Sequence, residues 1–201
     1  MNDEPRTTNP ERRTTNHIPS RLDHNFFRRD VLEVAPELLG KQIVRKYGNG
    51  TTETFLITET EAYRGEEDLA CHASRGKTPR TATMYLPGGV LYIYLIYGMY
   101  WMMNIVTGPE EHPQAVLIRG IEGYDGPGKL TRRLQIDKTF NSEDLTTSPR
   151  IWIEETGIIP PYTSSPRIGV DYAGEKWKNM PWRFVMEKEK PESKSERQNT
   201  G

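Results

Sequence analysis

Cysteine is nearly absent: Cys71 alone stands among 201 residues. No disulfide can form within the chain, and a reducing compartment fits that usage. Histidine is almost as scarce. His17 and His24 lie near the N-terminus, His72 and His112 are far apart, and neither Cys-x-x-Cys nor His-Glu-x-x-His occurs. The ligand spacing of a protein-held metal is missing, so no metal and no other cofactor is expected. Long hydrophobic runs are missing too. The longest uncharged apolar stretch, Val90 to Val106, is broken by Gly98 and rich in tyrosine. It falls short of the roughly 20 residues of a membrane span. No secretory leader is visible, because the first apolar cluster, Phe26-Phe27, comes late and meets Arg28 and Arg29. A protein that is not secreted is expected: cytoplasmic and nucleoid-associated in a prokaryote, nuclear in a eukaryote. Net charge is also small, at -1 with a pI of about 6.5, which argues against a strongly cationic surface overall.

What is present forms one domain with polar ends. The composition is 34% hydrophobic and the mean hydropathy -0.75. Residues 1–25 and 187–201 mix Asn, Thr, Ser, Pro and charges without apolar periodicity, so both read as tails, leaving 26–186 to build the core. Charge is uneven within that core. Between Cys71 and Pro109 stand Arg75, Lys77 and Arg80 with no acidic residue, a local patch that suits a polyanion.

Local patterns set out the elements. Val31, Val34, Ala35, Leu38 and Leu39 recur at helical spacing before Gly40, with Pro36 expected to begin the helical turn. Lys41–Tyr47 and Thr51–Glu61 flank Gly48-Asn49-Gly50 as a hairpin. In its second strand Phe55, Ile57, Glu59 and Glu61 share a face by the two-residue period. Arg64–Asp68 reads as a charged turn, Arg75–Arg80 as a basic loop, and Pro87-Gly88-Gly89 as a turn into the aromatic stretch. Ala115–Arg119 reads as a strand. Gly126–Lys129 opens a helix with Leu130, Leu134 and Ile136 on one side, and Asn141 suits the N-cap of another short helix. Arg150–Glu154, Arg167–Val170 and Trp182–Met186 are short strand candidates.

The aromatic stretch organises the rest. The chain has ten tyrosines, five phenylalanines and four tryptophans, nineteen rings in all, and Val90–Asn104 holds five of them: Tyr92, Tyr94, Tyr97, Tyr100 and Trp101. Leu91, Ile93 and Leu95 read as core. Gly98 permits a tight turn that would thrust Tyr97 and Met99 outward. A P-loop reading fails, since Leu130 follows Gly128-Lys129 where a hydroxyl should hold magnesium. What remains is a helix N-terminus with Lys129 beside it, suited to one phosphate. Cys71 next to His72 reads as packing. Tyr63, His72 and Tyr94 could cage a flat cationic ligand, with Glu61 close by.

These residues together resemble the alkyladenine (3-methyladenine) DNA glycosylase family. The resemblance rests on Glu59-Thr60-Glu61-Ala62-Tyr63, on His72 nine residues later, and on Tyr92 through Tyr100 with Asn104 beyond. It continues through Val116–Arg119, Gly128-Lys129-Leu130, Asp144-Leu145 and Arg167–Val170. It implies an α+β fold: one mixed domain, a curved antiparallel β-sheet surrounded by helices, and a protruding β-hairpin. It implies a monomer acting on double-stranded DNA that contains damaged purines, as a monofunctional glycosylase of base-excision repair. Alkylated purines (3-methyladenine, 7-methylguanine) are the implied substrates, with deaminated (hypoxanthine) and etheno purines beyond them.

The resemblance also assigns roles. Glu61 is the implied general base, with Arg119 and backbone near Ile168 holding the water. Tyr63, His72 and Tyr94 are the implied pocket walls, Asn104 the purine discriminator, and Tyr97 with Met99 the group left in the duplex. Lys129, Arg75 and Lys77 are the expected phosphate contacts. Two rivals follow from the residues alone: a binding module that cages a modified base without chemistry, and a glycosidase that uses Glu59 and Glu61 as its carboxylate pair.

Overall fold

The computed structural model describes residues 20–187. In chain order the strands are β1 (Ser20–Arg21), β2 (Gln42–Lys46), β3 (Thr52–Arg64), β4 (Leu91–Ile96), β5 (Tyr100–Val106), β6 (Gln114–Ile121), β7 (Tyr124–Asp125), β8 (Ile151–Glu155), β9 (Tyr162–Ser165) and β10 (Arg183–Met186). The helices are α1 (His24–Phe27), α2 (Val31–Glu37), α3 (Pro127–Arg133) and α4 (Gly174–Lys178). Antiparallel pairing runs in the order β1-β8-β2-β3-β6-β5-β4 and leaves the sheet open. This is the expected α+β class, with the β4–β5 hairpin at one end of the order. Residues 20–25, read from the sequence as tail, carry β1, paired to β8, and open α1. Residues 1–19 and 188–201, the remainder of the expected tails, lie outside the described residues.

β3 is the hub. Its first half pairs with β2 along one edge, where Gln42 stands opposite Leu56, and β10 takes that edge over from Glu59 to Glu61. The other edge is covered by β6 from Ile57 to Arg64. The core under the sheet is apolar and closed: Ile43, Ile57, Leu91, Ile105, Ile118, Leu130 and Ile153 are fully buried within one cluster. Each such side chain contributes about 1.5–3 kcal/mol of burial. A smaller cluster of Cys71, Met84, Tyr85, Tyr92 and Val106 lies beneath the aromatic pocket.

Several expectations change once the chain is folded. Face sharing along β3 breaks at a bulge, since register shifts separate Ile57 from Glu59 and Glu59 from Thr60. Phe55 and Ile57 face the core before it. After it Thr60 and Ala62 do, and the Thr60 hydroxyl donates to the Ala35 carbonyl at 2.9 Å. Glu61 and Tyr63 therefore point to the other face. The extra residue is what re-aims the carboxylate. Gly120 lies opposite Glu59, and a Cβ there would come within 2.9 Å of the Thr58 hydroxyl. No larger residue fits that place without a shift.

α2 starts five residues before Pro36, because the Asp30 side chain accepts from Leu32 N–H at 2.9 Å and caps the helix. Pro36 sits in the last turn, where its missing N–H forgoes the bond to the Leu32 carbonyl and the helix ends one residue later at Glu37. The helix foreseen after Asn141 is absent. Asn141 instead ends a 3₁₀ turn (Lys138–Phe140) and its Oδ1 accepts from Ile93 N–H at 3.0 Å. Arg167–Val170 is loop rather than strand, the pairing falling just before it in β9. Leu95 is 38% exposed, not core, because the hairpin has by then left the body of the sheet.

Candidate active site

A cavity of about 460 Å³ opens where β3, β4, β5 and β6 meet the 166–170 loop. Its walls include Tyr63, His72, Tyr92, Tyr94, Asn104, Arg119, Ile168 and Tyr97. Every residue expected at the base pocket is thus brought together, and Tyr97 reaches the same opening. Strand alternation explains the aromatic side: Tyr92 and Tyr94 share one face of β4, with ring centroids 5.3 Å apart. His72 arrives from a 3₁₀ turn (His72–Arg75) and lies 4.4 Å from the Tyr94 ring, tilted by 59°. Its Nδ1 is hydrogen-bonded to the Tyr92 hydroxyl at 2.9 Å. Burial, with the Arg80 guanidinium adding to it, pushes the His72 pKa down to about 4. The ring is uncharged at neutral pH.

Glu61 lies behind this wall, with no exposed surface. Three donors hold its two oxygens. Oε1 accepts from Ile168 N–H at 2.7 Å, and Oε2 from the Tyr63 hydroxyl at 2.8 Å and Arg119 Nη1 at 3.4 Å. Burial raises the Glu61 pKa above the ordinary carboxylate value, while Arg119, the Ile168 amide and the Tyr63 hydroxyl pull it back. A base whose proton affinity is lifted by burial and aimed by fixed donors is what proton abstraction near neutral pH needs. Tyr63, pushed well up by its own burial and by Glu61, stays a neutral donor.

Glu59 is built differently. Its Oε1 accepts from Arg119 Nε at 3.0 Å and Arg183 Nε at 2.6 Å. Glu59 is thus committed to two guanidiniums and does not line the cavity, so it is not placed across a substrate from Glu61 as a glycosidase pair has to be. Glu59 instead orients Arg119. The Asn104 side-chain amide donates to the Tyr92 carbonyl at 3.1 Å, which fixes its plane at the pocket floor.

At the hairpin tip Tyr97 is 85% exposed and Met99 63%. Tyr97 and Gly98 have φ of +49° and +67°, and Met99 N–H closes the turn on the Ile96 carbonyl at 3.1 Å. Two successive positive φ values are the signature of a tight hairpin turn.

The expected phosphate contacts do not form one group. Arg75 and Lys129 are exposed and line neither the pocket nor the tip. Lys77 is tied to Glu111 at 2.5 Å, so its charge is already met within the protein. Cys71 is buried and its thiol is pushed up to about 12 by that burial, which makes it packing and not a nucleophile.

Sequence reasoning missed Arg183, Tyr92 as the partner of His72, and the buried pair Asp68–Arg167. Arg167 precedes Ile168, and Asp68 closes the charged turn after β3; that adjacency was the available signal.

The model of the methylpurine-DNA glycosylase family matches residues 25–126 and 123–190. The chain is 46% identical over 172 residues to a protein of Sodalis glossinidius, covering 81% of this chain and 95% of that protein. It is 45% identical over 170 residues to one of Wolbachia pipientis, covering 81% and 89%, and 42% identical over 183 residues to one of Methanocella arvoryzae, covering 81% and 90%. All three carry the name "Putative 3-methyladenine DNA glycosylase". A match along the whole body of the fold, which takes in Glu61 and its three donors, means that this chain belongs to the methylpurine-DNA glycosylase family and is a DNA N-glycosylase.

Proposed function

We propose that this protein excises alkylated purines, 3-methyladenine and 7-methylguanine first among them, from double-stranded DNA. One observation carries the reading: a fully buried carboxylate, Glu61, held by three donors directly behind an aromatic pocket of a size to take a single base. The damaged nucleotide rotates out of the stack at a cost of a few kcal/mol, and Tyr97 with Met99 fills the gap. The extruded base stacks on Tyr63, His72 and Tyr94. A purine alkylated at N3 or N7 carries positive charge, which π faces favour by about 0.5–2 kcal/mol over a neutral base. His72 is uncharged at neutral pH, so it adds a ring and no repulsion.

Water then attacks C1′ of the sugar. The C1′–N bond breaks, its electron pair leaves with the base, and the water proton passes to Glu61. Such a leaving group is already activated by its own charge, so one carboxylate suffices where sugar-to-sugar hydrolysis takes two. Arg119 and the Ile168 amide hold Glu61 and orient the water beside it. Asn104 selects among purines from the pocket floor. Among the described residues no lysine lines the pocket, which favours direct hydrolysis over a Schiff base and an abasic site left in an uncut strand. Arg75 and Lys129 meet phosphates; Lys77 does so only by leaving Glu111. A single chain supplies every one of these groups, in keeping with a monomer.

The test is a panel of duplexes, each with one lesion: 3-methyladenine, 7-methylguanine, hypoxanthine or ethenoadenine. Alkali-dependent strand breaks are expected at the alkylated purines, with deaminated and etheno purines as slower substrates. Release of no base from any of them refutes the proposal.

A further inference from the structure

A buried ion pair adjoins two of the three groups that hold Glu61: Ile168, the next residue in the chain, and Tyr63, by stacking. Arg167 Nη1 donates to Asp68 Oδ2 at 2.6 Å and Nη2 to Oδ1 at 2.9 Å, a two-pronged pair with both side chains wholly buried. The same guanidinium donates to the carbonyls of Ala62 at 2.9 Å and Trp177 at 3.2 Å. It is stacked between the rings of Tyr63 at 4.8 Å and Trp182 at 5.0 Å. Asp68 in turn accepts from the amides of Arg64 at 3.1 Å and Ala70 at 3.0 Å.

The pair thus ties the end of β3, the turn after it, the 166–170 loop and the end of α4 to one point. Burying two charges is seldom done for stability alone, since desolvation offsets most of the attraction. Here the connectivity gives another reason. Tyr63 stacks on Arg167 and bonds Glu61; Ile168 follows Arg167 and bonds Glu61; Ala62, bonded by Arg167, follows Glu61. Neither Asp68 nor Arg167 is among the groups that take the base or the water.

We propose that Asp68 and Arg167 are positioning residues, which set the Tyr63 hydroxyl and the Ile168 amide against the two oxygens of Glu61 and so aim it at the attacking water. This rests on Glu61 being the base. A 1 Å misplacement of a reacting group can cost roughly 100-fold in rate, so a loosened pair lowers the chemical step while every ring that stacks on the base is kept. The groups facing Glu61 are Tyr63 and Glu59 on β3, Arg119 on β6, Tyr94 on β4 and the Ile168 amide, with Arg183 of β10 behind Glu59 and the Arg167 charge itself within reach, which Arg167→Lys retains. Of these the pair governs Tyr63 and Ile168. A carboxylate that loses such donors binds its proton more tightly.

Arg167→Lys keeps the charge and loses the fork; the double change Asp68→Asn with Arg167→Gln removes both charges and leaves neither orphaned. Each is compared with the wild type by thermal melting, by affinity for lesion DNA, and by single-turnover excision across pH on an alkylated duplex. The expected result is a folded variant with a rate lower by about 10- to 100-fold, lesion affinity within about three-fold, and an acid limb of the pH–rate profile moved to higher pH. A folded variant with the wild-type rate and acid limb overturns the proposal. So does a rate loss matched by an equal loss of affinity with the limb unmoved, which is the mark of a general structural role. Glu61→Gln, run alongside, keeps the two ideas apart: undiminished excision there refutes the base itself, whatever the Arg167 variants do.

Discussion

The pocket wall and the hairpin tip belong to one stretch of aromatic sequence and are built on opposite terms. At the wall, Tyr92 and Tyr94 lie against His72, and Glu61 behind them has both oxygens bonded. At the tip, Tyr97 is 85% exposed with a positive φ, and Met99 stands beside it in solvent. Chemistry needs atoms held to a fraction of an ångström, so the wall is over-determined. Filling a gap in a stacked duplex, the role proposed for the tip, needs a projecting apolar shape and little else, which a free tip offers. If the division holds, changes at the wall cost rate and changes at the tip cost binding.

Glu61→Gln sits at the extreme of that division. The amide keeps the volume and can still accept from Ile168, yet it takes no proton from water. Excision should fall by roughly 10²- to 10⁴-fold, the usual worth of a general base, while affinity for a lesion duplex stays near wild type. In the wild type the rate should fall as pH drops through a pKa above the ordinary carboxylate value, since burial raises Glu61. A variant that still excises at the wild-type rate would mean that Glu61 is not the base and that the wall's chemistry lies elsewhere.

The wall also carries a pH-dependent part of stability. His72 titrates at about 4 in the folded protein, against 6.5 ordinarily. The unfolded chain therefore takes up the proton first as pH falls. The contribution is complete above about pH 6.5 and drains away down to about pH 4, reaching at most about 3 kcal/mol. His72→Phe keeps a ring in place and removes the titration. Between pH 7.5 and 5 its Tm should fall less than that of the wild type; equal falls would mean that His72 is not held neutral by its surroundings.

How much of this was legible in the sequence follows from what each signal depends on. Local signals survived folding: Gly48-Asn49-Gly50 made a hairpin turn, Leu130 and Leu134 lay on the buried side of a helix, and Gly98 made the tip. The residues that come together at the cavity were named through resemblance, while their facing was not. Period-two reasoning placed Glu61 on the core face, and only the bulge against Gly120 turned it round. A bulge depends on the partner strand 60 residues away, which no local window contains. Asp68 and Arg167 escaped for the same reason: 99 residues separate them, and each alone looks like a solvated charge.

Tyr97→Asn gives the smallest effect and the sharpest view of the tip. Tyrosine at a φ of +49° is in the left-handed region, which costs a non-glycine residue roughly 1–2 kcal/mol and asparagine less. Because the side chain is mostly in solvent, its loss removes little packing. The variant should gain about 0.5–1 kcal/mol, or a rise of a few degrees in Tm for a chain of this size, and yet bind lesion DNA and excise about ten-fold less well for want of the apolar group that fills the duplex. Stability and function would then move in opposite directions at one residue, as they do where strain is kept for use. A Tm lower by several degrees with unchanged DNA affinity would instead make Tyr97 part of the packed fold and erase the difference between tip and wall.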